Sequence, residues 1–534
     1  MVARARGSAP GRRAETVAAG PRDGAARGFD PVLAVLLLLG IAVWTAFRAY
    51  THIRLEDALI TDRYAENLAT GAGFVFNAGE RVLGTTTPLL TLILALAGRL
   101  FGVACIPVAS NVLMIAAAAA TAWLLHDVVE RCFESRAIAR VATAIWIVHP
   151  DTLWTTAGGL ETPLVVLLMV ASFALAVRGR WNLAALCTGL LVLTRPDGVV
   201  WAGLFALGAL FELRIRAWKP LLVALLVVLP WAVFAWSYFG SPVPQSLIAK
   251  HESGLGAGSV SYVPWLLNSL ALASADDPTP LRFPLWLTFV FLGATATLFA
   301  PGLRRLARWL VAFPLLFTLA FAIGRAPWFP WYLVPVEWCG VVLGVFGAFE
   351  MLAMLRAHAA SRAWGRRAVP VLAAFAVLVV AWGIVARDVG AFAYHRKVQA
   401  NEEQARGRIG EWLRQHTDPG AIVAMEAIGY QGTRSRRRVL DFAGIVSPVV
   451  LTMHRDSRSN AELFERLLDR FRPAAIVLRK YEFELNRHMQ GGPLFEDTGQ
   501  RDRFLAAYEP AFEVTAPYPD VWGPNASLVV WRRK

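Results

Sequence analysis

The chain is constrained most by its apolar runs. Val32–Phe47, Leu221–Trp236 and Ala368–Ile384 each run uncharged toward the width of a bilayer core, which a helix crosses in roughly 20 residues over about 30 Å. A soluble core would interrupt such runs with polar residues every turn or two. Composition agrees: 56% of the residues are hydrophobic and 17% are charged, where soluble proteins carry about 25% charged residues. That excludes a soluble multidomain enzyme, a disordered chain and a fibrous one. Many such runs imply a polytopic membrane protein. Cys105, Cys132, Cys187 and Cys339 are scattered without metal-ligand spacing, so they frame neither disulfides nor a zinc site. His52, His126 and His149 show no ligand spacing either.

The formal net charge of +14 would suit a nucleic-acid protein, but its placement argues against one. Outside the last third, most arginines sit in an N-terminal tail or in short loops between apolar runs. That is how membrane proteins mark their cytoplasmic loops, whereas a nucleic-acid protein gathers cations with aromatics on one soluble face. Residues 1–28, with six arginines and no apolar run, read as a disordered basic cytoplasmic tail. The run from Pro31 reads as an uncleaved first transmembrane helix leading outward. It opens a polytopic module over residues 29–387.

Next comes a long outer loop, residues 48–88, dense in acids and glycine. Its continuation, Leu89–Phe101, holds Gly98 and Arg99 and is short for a span, so it is expected to lie in the outer interface. On that register the loops carrying Arg131/Arg136/Arg140, Arg178/Arg180, Arg214/Arg216/Lys219, Arg304/Arg305/Arg308 and Arg356/Arg362/Arg366/Arg367 all fall inside. Eleven transmembrane helices result, centred near 39, 116, 145, 170, 188, 205, 229, 291, 316, 343 and 377. An odd number puts the C-terminus outside.

From about Asp388 the composition changes. An amphipathic helical stretch over 401–418 is followed by β-type runs at Ala421–Met425, Val439–Phe442, Ala475–Leu478 and Ser527–Trp531, with a helical pattern at Ala461–Phe471. Residues 388–534 are therefore expected to form an extracytoplasmic soluble α/β domain of ordinary domain size. The polar linker near Asp388–Gln399 suggests a separable unit.

The sharpest chemical signal is the adjacent pair Glu56-Asp57 beyond the first helix. On a helix the two side chains diverge by about 100°, so one can face a cleft as a base while the other orients it. Both could instead be first-turn acids stabilising the helix Ala58–Ala69. The cations expected on the outer side are Arg63, Arg195, Lys250 and Arg325. A guanidinium offers a phosphate a bidentate fork and an ammonium offers a point charge. Each has a plainer alternative: pairing with a neighbouring acid for Arg63, a local pair with Asp197 for Arg195, snorkelling for Arg325 and solvation for Lys250. Glu161, after Gly158-Gly159, could equally be a carboxylate at a helix start. Trp328, Trp331 and Tyr332 read first as interfacial anchors and second as sugar- or lipid-stacking residues.

The strings around these residues narrow the choice. Residues 55–88 read LEDALITDRYAENLATGAGFVFNAGERVLGTTTP, followed by GGLETP at 158–163, LTRPDG at 193–198 and YFGSPVPQSLIAK at 238–250. This combination resembles the GT-C superfamily of integral-membrane glycosyltransferases, in particular the bacterial arabinofuranosyl- and mannosyltransferase-like branch. The pair here is Glu-Asp where Asp-Asp is commoner, and Gly84-Thr85 runs on into Thr86-Thr87. The resemblance implies a membrane all-α bundle of GT-C type with about eleven transmembrane helices, outer-interface helices and a C-terminal soluble α/β domain. It also implies an inner- or plasma-membrane enzyme that transfers sugar, with inversion, from a polyprenyl-phosphate carrier to an envelope glycan or glycolipid. Asp57 would then be the base with Glu56 beside it, and Arg63, Tyr64, Glu161, Arg195, Asp197, Lys250 and Arg325 would serve the donor's phosphate and sugar. No acidic cluster beyond Glu56/Asp57 implies a divalent metal, which leaves metal assistance open. A transporter or flippase would need mid-membrane charges and inverted repeats, and none is visible. A membrane-anchored glycan-binding protein stays as the other alternative.

Overall fold

The structure, a computed structural model, describes residues 30–252, 282–299, 303, 305–324, 329–359, 390–486 and 492–534. Helix α1 (Pro31–Thr51) opens where Asp30 caps the backbone N–H of Val32 and Pro31 has no N–H to satisfy. Asp30 also holds Arg140 at 2.9 Å, which fastens α1 to a neighbouring helix. After α2 (Glu56–Ala69) and α3 (Pro88–Phe101) come α4 (Ile106–Phe133), α5 (Arg136–Val148), α6 (Pro150–Gly158), α7 (Thr162–Val177), α8 (Trp181–Thr194) and α9 (Gly198–Leu213). Helices α10 (Trp218–Phe239), α11 (Gln245–Glu252), α12 (Arg282–Phe299), α13 (Trp309–Ile323) and α14 (Val334–Ala359) complete the described bundle.

Every expected span centre from 39 to 343 falls inside a helix, and the centre near 377 lies outside the described residues. The lengths are less uniform than eleven equal spans would be. Among the described residues, five helical stretches are long and apolar enough to cross a membrane, or six if α6 and α7, bent by 116° at their break, count as one. Gly198–Phe239 is one 42-residue stretch, about 63 Å at 1.5 Å per residue. That is twice the span a bilayer needs. It is interrupted at Arg214, whose φ of 52° breaks the helix among Glu212, Arg216 and Lys219. Helix α3 has only 14 residues, about 21 Å, which suits an interfacial position better than a crossing. Lengths and apolar faces together identify a multi-pass membrane protein.

The C-terminal region folds around a five-stranded sheet in the order β2-β1-β3-β5-β4. Its strands are β1 (Ile422–Met425), β2 (Arg438–Asp441), β3 (Ala475–Arg479), β4 (Tyr508–Thr515) and β5 (Ser527–Arg533). β1 runs parallel to β2 and β3, whereas β5 is antiparallel to β3 and β4. β4 is the strand that the sequence pattern did not reveal. It is an edge strand carrying Pro510 and a register shift at Pro510/Phe512, features that blunt an edge and blur alternation.

Side chains alternate across the sheet, as strand geometry requires. Ala424, Ile476, Leu478, Val529 and Trp531 face helices Asn460–Phe471 and Thr498–Ala507. Val423, Met425, Val477, Leu528 and Val530 face the other way, into a core shared with Ile60, Tyr64, Phe74, Phe76 and Leu83 of the first outer loop. The expected linker is part of that junction. Residues 390–401 are helical, and Gln399 accepts the Arg54 backbone N–H at 2.9 Å while donating to the Tyr430 hydroxyl. The loop is therefore sandwiched between bundle and sheet.

Candidate active site

A cavity of about 460 Å³ opens where α2, the 84–87 turn, the α6–α7 break, the α8–α9 turn, α11 and the start of α14 converge. Local sequence explains each wall. Gly159 adopts φ of 74°, and a Cβ there would lie 1.8 Å from the Arg54 guanidinium. Only glycine fits, and the turn it makes delivers Leu160 and Glu161 to the cavity. Gly84 runs equally close, its absent Cβ falling 2.8 Å from the Tyr64 hydroxyl and 2.9 Å from the Ile445 carbonyl. Thr85, Thr86 and Thr87 follow it along the wall.

Helix α2 begins at Glu56, with Leu55 as an N-cap that makes no side-chain bond. Glu56 and Asp57 are thus first-turn residues, and their side chains part as helical geometry demands. Glu56 turns to the outer domain, where its carboxylate accepts the backbone N–H groups of Gly429 at 2.5 Å and Tyr430 at 3.1 Å. Burial pushes its carboxyl up to about 7. Asp57 lines the cavity. One turn on, the Thr61 hydroxyl stands 3.1 Å from that of Thr87, which is 3.0 Å from Thr85. These three buried hydroxyls line the cavity with Asp57.

Two cations line the same cavity. Arg195, 2% exposed, donates to Asp197 at 3.0 Å and to the Trp331 carbonyl at 3.3 Å, and its guanidinium approaches Glu161 to 3.8 Å. It also lies 5.0 Å from the centre of the Tyr332 ring. The expected local pair with Asp197 is real, and it fixes Arg195 in the wall without removing it from the cavity. Lys250 donates to the Tyr332 hydroxyl at 3.2 Å and stands 4.5 Å over the Phe329 ring. Burial works against its charge, but Tyr332 and Asp57 outweigh burial and hold the ammonium above its ordinary value. Tyr332 thus sits between two cations, more than an interfacial anchor.

The cavity gathers Asp57, Glu161, Arg195, Asp197 and Lys250. Arg63 and Tyr64, expected at the donor, lie elsewhere for a clear reason. The Arg63 guanidinium donates to the carbonyls of Phe76, Gly432 and Arg437, so its donors are spent tying the loop to the outer domain. Tyr64 is fully buried, donating to the Val82 carbonyl and accepting from the Gly84 N–H, which shapes the turn from behind. Glu56 is likewise turned away. Arg325 and Trp328 lie outside the described residues. Sequence reasoning missed Thr61, Ser246 and Ile445, the last contributed by the outer domain. It also missed a trio with the reach to hold a cation, His149, Asp151 and Glu337, because Glu337 is almost 200 residues away in the chain.

Three similarities bear on this arrangement. A family model described as a domain of unknown function, DUF8728, matches residues 395–522. The terminal beta-(1->2)-arabinofuranosyltransferase of Mycobacterium tuberculosis is 28% identical over 243 residues, a match spanning 42% of this chain and 38% of that protein. The crystal structure of ArnT from Cupriavidus metallidurans bound to undecaprenyl phosphate aligns with a TM-score of 0.55 at 15% identity, covering 93% of this chain and 97% of that one. The apo form of ArnT aligns over the same shares with a TM-score of 0.56 at 13% identity. With the bundle and the sheet domain both in place, the chain shares the overall fold of ArnT, a membrane helical bundle followed by a C-terminal α/β domain.

Proposed function

We propose that this protein is a glycosyltransferase that takes sugar from a polyprenyl-phosphate carrier and passes it, with inversion, to a glycan or glycolipid of the cell envelope on the outer face of the membrane. The observation that carries this reading is one cavity lined by a carboxylate, Asp57, together with two cations, Arg195 and Lys250. A lipid phosphate leaves as an anion, so it needs positive charge more than a proton donor. Arg195 and Lys250 supply that charge. The acceptor hydroxyl needs one base within hydrogen-bond reach, and Asp57 takes its proton as the oxygen attacks the anomeric carbon. Attack opposite the phosphate inverts that carbon with one carboxylate and no covalent sugar intermediate. Asp197 and Glu161 hold the guanidinium in place, and the Thr61, Thr85 and Thr87 hydroxyls offer bonds to a sugar. The similarity to an arabinofuranosyltransferase favours a pentofuranosyl donor. The bundle's outer mouth keeps the lipid in the bilayer, with the sheet domain standing over the acceptor side.

The test is transfer of radiolabelled arabinofuranose from a synthetic polyprenyl-phosphate donor by the purified full chain in nanodiscs. Labelled product bearing the inverted anomer is expected. Retained configuration would overturn the single-carboxylate mechanism, and donor binding without transfer to any envelope extract would overturn the enzyme reading.

A further inference from the structure

A trio at the starts of α6 and α14 does not line that cavity. His149 occupies the extended link between α5 and α6, Asp151 the first turn of α6, and Glu337 the first turn of α14. His149 Nδ1 lies 3.5 Å from Glu337 Oε2 and 3.9 Å from Asp151 Oδ2, and the three ligand atoms fall within 4.8 Å of one another. Hydrogen bonds of this kind run about 2.7–3.2 Å. Two ligands bound at about 2.0–2.1 Å in a tetrahedral shell are separated by about 3.4 Å, close to the His149–Glu337 separation. The other oxygen of Asp151 accepts the Trp154 indole N–H at 2.7 Å. That is the outer-sphere contact that orients a ligating carboxylate. The three side chains are 17–21% exposed, while the His149 Nδ1 and Glu337 Oε2 atoms themselves are buried.

We infer that His149, Asp151 and Glu337 form a binding site for a zinc-like divalent cation. One imidazole and two carboxylates suit zinc, and a fourth position is left for water. The ion clamps the α5–α6 link to the start of α14. Leu160 and Glu161, just after α6, and Trp331 and Tyr332, just before α14, all line the cavity, where Arg195 joins Glu161 to the Trp331 carbonyl, so the clamp steadies the two segments that hold Arg195. It takes no part in the transfer step.

Full-length protein stripped with chelator and titrated with zinc chloride tests the site without any activity assay. Retention of one equivalent after gel filtration is expected, with a rise in melting temperature. His149→Gln and Glu337→Gln should each weaken binding by at least about 10-fold, on the scale of lost metal-site interactions. If either variant fails to fold, X-ray absorption at the zinc edge of the wild-type protein decides, with one imidazole and oxygen ligands at about 2.0–2.1 Å expected. Sulfur ligation, no retained equivalent, or variants that bind as wild type would overturn the site. So would stabilisation by acid alone, the mark of an imidazolium clamp.

Discussion

The membrane bundle buries one set of large apolar side chains and points another set outward. Leu38, Leu100, Phe211, Ile215 and Phe291 are 65–87% exposed, as a lipid-facing surface permits. From residue 390 onward, among the described residues, only Tyr394 and Tyr518 stand out as exposed large hydrophobics. Buried charge follows the same divide. The bundle beside the cavity seals Arg195 with Asp197 and Glu161, and Arg54 with Asp62, because an unpaired charge there is costly. The C-terminal domain's exposed pairs, such as Arg532–Glu509, face water and contribute little. Helix α2 belongs to both regions. Glu56 answers to the sheet domain and Asp57, one residue on, to the cavity. Two neighbouring carboxylates therefore have different tasks because a helix turns about 100° per residue.

Substitution at Asp57 should have the largest effect, and only on the cavity side. Asp57→Asn keeps the shape and removes the proton acceptor, so turnover should fall by roughly 10²- to 10⁴-fold. Donor affinity and melting temperature should hold, since the base acts in the transition state. Transfer assays beside thermal unfolding check this. Near-normal turnover would remove Asp57 from the chemistry and make both acids structural.

Phe76 sits where the two regions share a core. It is 1% exposed, with the Arg63 guanidinium 4.2 Å above its ring. Phe76→Ala should cost about 3–5 kcal/mol, as buried aromatics do. If bundle loop and sheet form one unit, both should loosen together, and hydrogen exchange should rise in residues 60–83 and in β1 alike. Exchange confined to one side would divide the core again.

Glu56 gives the junction a pH dependence. Burial pushes its carboxyl from 4.5 up to about 7, so the folded protein holds that proton more tightly than the unfolded chain. The stability this contributes is complete below pH about 4.5 and is lost as pH rises through about 7, by at most about 1.4 kcal/mol per pH unit. Glu56→Gln should flatten the melting temperature against pH over that window and leave the cavity's turnover nearly intact. An unchanged slope would move the titration elsewhere.

Much of this was legible in the sequence, and the limits have physical causes. Apolar runs locate helices because lipid contact tolerates no interruption, and four of the five strands carry an apolar pattern. The family string singled out Asp57, Arg195 and Lys250, which lie in short motifs and line one cavity. Arg63 and Tyr64, from the same string, turn away from that cavity, because a motif does not say which way a side chain points. The carbonyls that capture Arg63 belong to Gly432 and Arg437, more than 350 residues away. Composition marked 388–399 as a linker, yet Gln399 is stitched to Arg54. A polar segment reads the same whether water or a neighbouring strand satisfies it.

The smallest expected effect separates the two arginines that cross the same junction. Arg436 reaches Glu66 of α2 at 3.4 Å but is 71% exposed. Its gain is screened by water and offset by the entropy of holding a long side chain, so Arg436→Ala should cost about 0–1 kcal/mol. Arg63 makes a nominally similar crossing, but its guanidinium is buried against three carbonyls. The Phe76 and Gly432 carbonyls keep second donors in Asn67 and Ser435, so Arg63→Lys, which keeps the charge and loses the fork, puts the Arg437 carbonyl at risk of losing its donor at about 1–3 kcal/mol. Chemical denaturation of both variants in the same detergent gives the comparison directly. If Arg436→Ala proved the costlier, the seam would be held by long-range charge, and raising the salt should then weaken it; if Arg63→Lys is costlier and salt leaves the order unchanged, buried hydrogen bonds hold the sheet domain over the cavity.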